Sequence, residues 1–252
     1  MDSRHKKIIE ILAKEKEVKV QELSERLNTS AVTIRKDLKQ LEGNRLLFRN
    51  HGGASLESPY INDRHVNEKE FMHSTEKNAI GKEAASIIND DQYIIIATGT
   101  TVLALARYIN PLKKMTVVTS AINVATELLS NPNIEVLMLG GYIRHNSNSV
   151  IGHYSEMILK ETACSKLFLG VDGIDLDYGL STTNASEAHL NQQMIKSSKD
   201  VIVLADSTKF DKKSFGRICG LEQVDQIITD KNISKENEKK IKSMGILLTI
   251  CE

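Results

Sequence analysis

Apolar positions in residues 20–41 (VQELSERLNTSAVTIRKDLKQL) fall into two short sets at helical spacing. Leu23 and Leu27 are four apart, and so are Ile34 and Leu38, with Leu41 three further on. Each set therefore shares one face of a helix. Asn28, Thr29 and Ser30 lie between them and favour turns and caps, because their side chains bond nearby backbone N–H groups. The pattern predicts helices over Val20–Leu27 and Ala31–Leu41 joined by a tight turn. A helix over residues 3–16 precedes them, with Ile8, Ile9 and Leu12 as its apolar side, and Val18 and Val20 read as an extended link. Downstream, Glu42-Gly43-Asn44 signals a turn, Leu46–Arg49 a strand, and His51–Ala54 a turn into a second strand. Three helices and two short strands make a winged helix-turn-helix; alternatively, the second strand only leads into a linker.

After residue 57 the pattern changes. Residues 58–73 carry turn formers (Ser58, Pro59, Asn62, Asp63) and little apolar periodicity, which predicts a linker. A helix over Ser74–Ile88 follows. Short β-branched runs then alternate with helix-like segments: Tyr93–Ala97, Met115–Thr119, Val136–Leu139, Lys166–Gly170, Val201–Ala205, Gln226–Thr229 and Ile246–Ile250. Such alternation predicts an α/β domain over residues 74–252, with a parallel sheet covered on both faces. Ligands of such sheets sit at the carboxyl ends of the strands.

Composition and charge refine this picture only slightly. Of the 252 residues 40% are hydrophobic and 26% charged, the balance of a soluble globular chain. The net charge is zero, yet residues 1–57 carry +3 and residues 58–252 carry −3. A basic head on an acidic body fits nucleic-acid contact at one end. Three widely separated cysteines without CxxC spacing point to reduced buried thiols in a cytoplasmic protein, and to no metal site or cofactor. The polar N-terminus MDSRHKK is not a signal peptide, and no apolar run is long enough to span a membrane.

Candidate chemistry lies in two places. The helix over Ala31–Leu41 turns Thr33, Arg35, Lys36 and Lys39 away from its apolar side, with Ser30 at its start. A buried back and a basic front suit insertion into a DNA major groove. Arg49 and His51 in the wing would meet the phosphate backbone or the minor groove. In the body, Tyr93–Ala97 runs into Thr98-Gly99-Thr100-Thr101 and a helix, a candidate phosphate cradle. It is neither a P-loop nor a dinucleotide fingerprint. Other strand ends deliver Gly140-Gly141, Asp172 and Asp206 with Lys209. Carboxylates match sugar hydroxyls, and Lys with backbone N–H groups matches phosphate. Glu187 either lines the same pocket or caps its helix.

Taken together, Val32–Leu38, Leu41-Glu42, His51–Ala54, Gly99–Thr101, Leu139–Gly141, Gly170–Asp175, Gly179–Thr182, Glu187-Ala188 and Asp206–Phe210 resemble the DeoR/GlpR family of bacterial transcriptional regulators over essentially the full length. Phe168–Asp175 and Ser181–Met194 are most similar to regulators of N-acetylgalactosamine or related amino-sugar use. The resemblance implies a homo-oligomeric (dimeric or tetrameric) repressor whose C-terminal domain binds a phosphorylated sugar. It implies for that domain a fold similar to ribose-5-phosphate isomerase and glucosamine-6-phosphate deaminase. Two positions depart from the family: Ala97 stands where many members have Asp, and Arg35-Lys36 replaces the commoner Arg-Arg.

An enzyme of the isomerase or deaminase type, with Asp172 or Asp175 as general base, is the competing reading. Against it stand the N-terminal head and the lack of a recognisable nucleophile or His/carboxylate spacing. A constitutive DNA-binding repressor with a degenerate pocket is a third, because of Ala97.

Overall fold

A computed structural model describes residues 3–15, 17–44, 46–50, 52–55, 65–88 and 93–252. Contacts divide the chain into two units, Met1–Asn62 and Asp63–Glu252.

The first unit contains α1 (Ser3–Glu15), β1 (Glu17–Lys19), α2 (Val20–Arg26), α3 (Ala31–Gly43), β2 (Phe48–Asn50) and β3 (Gly53–Ser55). Asn28 takes a left-handed backbone (φ 47°) in the turn between α2 and α3. The apolar stripes read from the sequence converge: Ile8, Leu12, Leu23, Ile34, Leu38 and Leu41 are buried in one cluster. Glu17–Lys19 is a strand rather than a plain link. It pairs antiparallel with β3, which also pairs with β2, in the order β1-β3-β2. The first wing strand starts at Phe48, not Leu46, because Leu47 is drawn into the core. Gly52 (φ 85°) makes the turn and accepts from the Val20 N–H at 2.6 Å.

The second unit opens with α4 (Val66–Phe71), inside the stretch expected to be an irregular linker, then α5 (Ser74–Ser86), β4 (Tyr93–Ile96), α6 (Thr100–Tyr108), β5 (Met115–Thr119), α7 (Ile122–Leu128) and β6 (Ile134–Met138). A hairpin follows, β7 (Tyr142–Arg144) with β8 (Ser149–Ile151), then α8 (His153–Lys160), β9 (Cys164–Gly170), β10 (Gly173–Asp175) and β11 (Gly179–Thr182). The chain ends with α9 (Ala185–Lys196), β12 (Ser198–Leu204), β13 (Gly216–Cys219), β14 (Gln226–Asp230), α10 (Lys235–Ser243) and β15 (Leu247–Cys251).

Seven of these strands form one parallel sheet in the order β15-β14-β12-β9-β4-β5-β6. It is doubly wound: β4, β5 and β6 step outward one way, and β9, β12, β14 and β15 the other. Alternate residues feed two apolar layers. Ile94 and Ile96 join Ile80 of α5 and Leu105 of α6 on one face. Ile95 joins Leu159 of α8, Met194 of α9 and Ile241 of α10 on the other. Burial on both faces is why inner strands such as β4, β5 and β14 read as apolar runs, whereas the edge strands β6 and β15 are partly exposed. α5 and α6 come together at Gly81, where a Cβ would stand 2.6 Å from the Ala104 carbonyl carbon. β10, β11 and β13 form a separate antiparallel sheet.

Candidate functional site

In the first unit, Ser30 caps α3 by accepting from the Thr33 N–H at 3.2 Å, and the two hydroxyls lie 2.9 Å apart. Asp37 lies on the buried side of α3 with Ile34, Leu38 and Leu41. Arg4 of α1 grips it through Nε at 2.5 Å and Nη2 at 3.0 Å, and His5 Nε2 lies 3.3 Å away. The Arg4 hydrogen bond holds the Asp37 carboxyl below its usual range; burial opposes this and His5 adds to it. The pair fixes α1 against the back of α3.

The opposite side of α3 presents Arg35, Lys36 and Lys39 to solvent, with Thr33 half-buried and Ser30 exposed at the start. Ser30 and Thr33 thus stand at the start of the helix, and Arg35, Lys36 and Lys39 along its exposed side. Arg49 is different, because its N–H donates to Glu42 Oε1 at 3.0 Å and its Nε lies 3.7 Å from Glu42 Oε2. Its guanidinium is tied to the end of α3 instead of extending freely from the wing. His51 lies outside the described residues. Val32, which the pattern did not single out, is 61% exposed on the basic side. An apolar residue off the buried stripe was its only signal, and its methyls suit contact with a thymine methyl.

In the second unit the order of strand addition reverses between the parallel neighbours β4 and β9. A crevice opens there at the carboxyl ends of a doubly wound sheet. β4 is followed by buried Ala97, whose N–H donates to the Phe168 carbonyl at 3.0 Å, then by Thr98-Gly99-Thr100-Thr101. Gly99 caps α6 with φ 134° and ψ 161°, a backbone essentially reserved for glycine. The first N–H groups of a helix lack intrahelical partners and carry the positive end of its dipole. β9 ends at Gly170, where a Cβ would stand 2.8 Å from the Thr98 carbonyl oxygen, so the two loops can touch.

A cleft of roughly 620 Å³, counting its open mouth, lies at this point. Thr98–Thr101, Asp172, Glu187 and Lys209 line it, as the sequence reading expected. So do Lys69 from α4, Arg144 from the hairpin and Asn191 from α9, none of which it picked out. Lys69 Nζ donates to Asp172 Oδ1 at 2.9 Å. The Thr182 hydroxyl and the Thr183 N–H donate to Asp172 Oδ2 at 3.0 and 3.3 Å. Burial opposes the Asp172 charge, but Lys69, Lys209 and these hydrogen bonds outweigh it, and the pKa lies below the usual carboxylate range. Asp172 is thus a poor proton acceptor and a good acceptor of hydrogen bonds. Glu187 Oε1 accepts from Arg144 Nη1 at 3.4 Å and the Ser149 hydroxyl at 3.2 Å. Asn184, not Glu187, caps α9, accepting from the N–H groups of Ser186 and Glu187 at 2.9 and 3.1 Å.

Three expected residues do not line the cleft. Gly141 (φ 144°) is where the β7–β8 hairpin begins, and a Cβ there would stand 2.4 Å from the Ile151 carbonyl oxygen. The neighbouring Gly140 accepts from the Ser155 hydroxyl at 2.6 Å. Asp206 is buried and caps the turn that carries Lys209, Oδ1 accepting from the Thr208 N–H at 3.1 Å. Its Oδ2 has no hydrogen-bond partner among the described residues. Behind the cleft lies Lys77, 5% exposed, its ammonium donating to the Lys69 carbonyl. Burial first, then repulsion from Lys209 and Lys69, brings its pKa down to about 8, against the pull of Asp206 and Glu70.

Among the described residues no cluster of metal ligands occurs, and no helix is long and apolar enough to cross a membrane. The three cysteines are free and buried, with pKa values pushed up by burial, to about 12 at Cys219 and about 11 at Cys251.

Comparison with known proteins points the same way as the geometry. Residues 4–59 match the DeoR-like helix-turn-helix domain, and residues 72–231 the DeoR C terminal sensor domain. A protein of Escherichia coli O157:H7 provisionally named aga operon transcriptional repressor is 34% identical over 96% of this chain and 91% of its own length. The HTH-type transcriptional regulator GolR of Listeria innocua serovar 6a is 33% identical over 99% of this chain and 98% of its own. Among solved structures, ribose 5-phosphate isomerase A from Neisseria gonorrhoeae is 16% identical, covering 53% of this chain and 52% of that one with a TM-score of 0.40. Two domain matches and full-length relatives that are regulators, not enzymes, settle the family: the chain belongs to the DeoR family of DNA-binding transcriptional regulators.

Proposed function

We propose that the protein represses carbohydrate-catabolism genes by holding operator DNA through α3, and releases it when a phosphorylated sugar fills the cleft. Arg35, Lys36 and Lys39 take the groove and the phosphates, with Ser30 and Thr33 at the helix start and Arg49 and His51 on the wing side. Thr98–Thr101 with Lys209 receive the sugar phosphate; Asp172 and Glu187 receive its hydroxyls, and Asp206 holds the Lys209 turn in place. The observation that carries this reading is the mixed lining of one cleft. A helix N-terminus and Lys209 line it together with two carboxylates already arrayed with hydroxyl and N–H donors. Relatives named for the aga operon and for a lactose phosphotransferase system support a sugar-linked regulon. The protein acts in the cytoplasm as a homo-oligomer; exposed Tyr142, Ile143, Tyr154 and Met157 on neighbouring β7 and α8 supply apolar surface for self-association.

The test is a mobility-shift assay on the DNA upstream of the protein's own gene and of adjacent sugar genes. It is run with pentose, hexose and amino-sugar phosphates. At least one phosphosugar should weaken the shift while its parent sugar does not. Sequence-specific binding that no phosphosugar alters would leave a constitutive repressor. Steady turnover of a phosphosugar would return the enzyme reading.

A further inference from the structure

Asp172 presents its two oxygens to different company. Oδ2 is occupied from within its own domain wall by Thr182 and Thr183. Oδ1 is held by Lys69, which lies 103 residues earlier in the chain. Those three donors take three of the roughly four acceptor directions of a carboxylate, so a ligand that places two hydroxyls on Asp172 must displace one of them, and the ammonium is the one that does not belong to the wall. The Lys69 side chain is 24% exposed, too enclosed to be abandoned to water without cost. α4 itself does not depend on the pair. The Val66 N–H donates to the Asn146 carbonyl at 2.7 Å, Lys77 holds the Lys69 carbonyl, and Glu70 meets Arg107 at 2.6 Å. The Lys69 side chain can change partner while its helix stays anchored.

We infer that Lys69 is a selectivity gate. It yields Asp172 to ligand hydroxyls only when the ligand brings its own anion to receive the ammonium. A neutral sugar that took Asp172 Oδ1 would strand Lys69 in the cleft. A phosphorylated sugar, with its phosphate at the α6 N-terminus beside Lys209, offers Lys69 a new counter-charge in the same cleft. Discrimination then comes from an exchange of ion pairs and not from phosphate affinity alone. This inference rests on the phosphosugar reading of the cleft.

The experiment compares wild type, Lys69→Met, Lys69→Gln and Lys69→Arg by calorimetric titration with pentose, hexose and amino-sugar phosphates and their parent sugars. Melting curves confirm that each variant is folded. Wild type and Lys69→Arg should strongly prefer the phosphorylated form. In the Met and Gln variants the preference should fall at least tenfold, chiefly because the parent sugar binds more tightly. An unchanged ratio overturns the gate. So does a ratio that falls only through weaker phosphosugar binding, which would make Lys69 an ordinary phosphate contact. If no phosphosugar binds wild type, the reading of the cleft fails and the gate with it.

Discussion

Replacing Lys77 by methionine should make the protein more stable and less responsive. The Lys77 amine is buried beside Lys69 and Lys209, and its pKa falls from the ordinary 10.5 to about 8. Each tenfold loss of proton affinity is ~1.4 kcal/mol, so keeping this amine charged at neutral pH withholds roughly 3 kcal/mol from the folded state. Methionine keeps the volume of the side chain and removes the charge. It also removes the hydrogen bond from the charged amine to the Lys69 carbonyl, worth about 2 kcal/mol. The net gain at pH 7 is about 1 kcal/mol, or about 2–4 °C in the melting temperature of a unit this size. The sign reverses with pH. Between pH 8 and 10.5 the folded chain has released the proton while the unfolded chain keeps it. Wild type therefore gains stability with rising pH in that window. Thermal melts followed by circular dichroism at pH 7 and pH 9.5 read both effects. Methionine should lead at pH 7, and wild type should draw level or overtake it by pH 9.5. A variant less stable than wild type at pH 7, or a gap independent of pH, would refute the reasoning. The same variant should gain less melting temperature from added phosphosugar, because a phosphate no longer relieves crowded positive charge.

Arg35→Ala should weaken operator binding by ~1–3 kcal/mol if Arg35 reads a base; an equal loss on random DNA in a titration would make it a phosphate contact. Asp37→Ala removes the partner of buried His5 and the paired grip of Arg4 on α3, and should cost about 2 kcal/mol after allowance for the partly exposed guanidinium. Urea unfolding should show that loss above pH 5, where wild-type Asp37 is charged, and show it fade as the pH falls through the lowered Asp37 pKa. Gly99→Ala meets only ordinary contacts, the nearest being Gly170 Cα at 3.8 Å, so the strained φ should dominate at about 1–3 kcal/mol. Titration should show weaker phosphosugar binding; binding equal to wild type would remove the Thr98–Thr101 loop from the site.

What could be read from the sequence is what local pattern determines. The inner strands of the seven-stranded sheet, buried on both faces, had to be largely apolar and β-branched, and the seven strands were legible to within a few residues. Leu23, Ile34, Leu38 and Leu41 declared the helix pair through spacing alone. Elements held by distant partners were not legible. α4 has no strong apolar stripe, and it is anchored by Val66 to Asn146 and by Glu70 to Arg107. The β7–β8 turn, HNSN, looks like loop and yet carries Arg144 and Ser149 to Glu187. Those two elements supplied two of the cleft cations the sequence reading missed. Gly140-Gly141 misled in the opposite way. Glycine at a strand end suggests room for a ligand, whereas at Gly141 the room is taken by the Ile151 carbonyl.

The reversal of strand order between β4 and β9 has a consequence for biosynthesis. The first unit draws its core from residues 8–54, whereas the cleft needs β9 seated beside β4, and Asp172 beyond it. A ribosome adding roughly 5–20 residues per second needs on the order of ten seconds to travel from one point to the other. For that interval a nascent chain carries the residues of the whole first unit and none of β9. On the function proposed above, a message cut short before β9 would yield a chain with α3 but without the cleft that a ligand must fill.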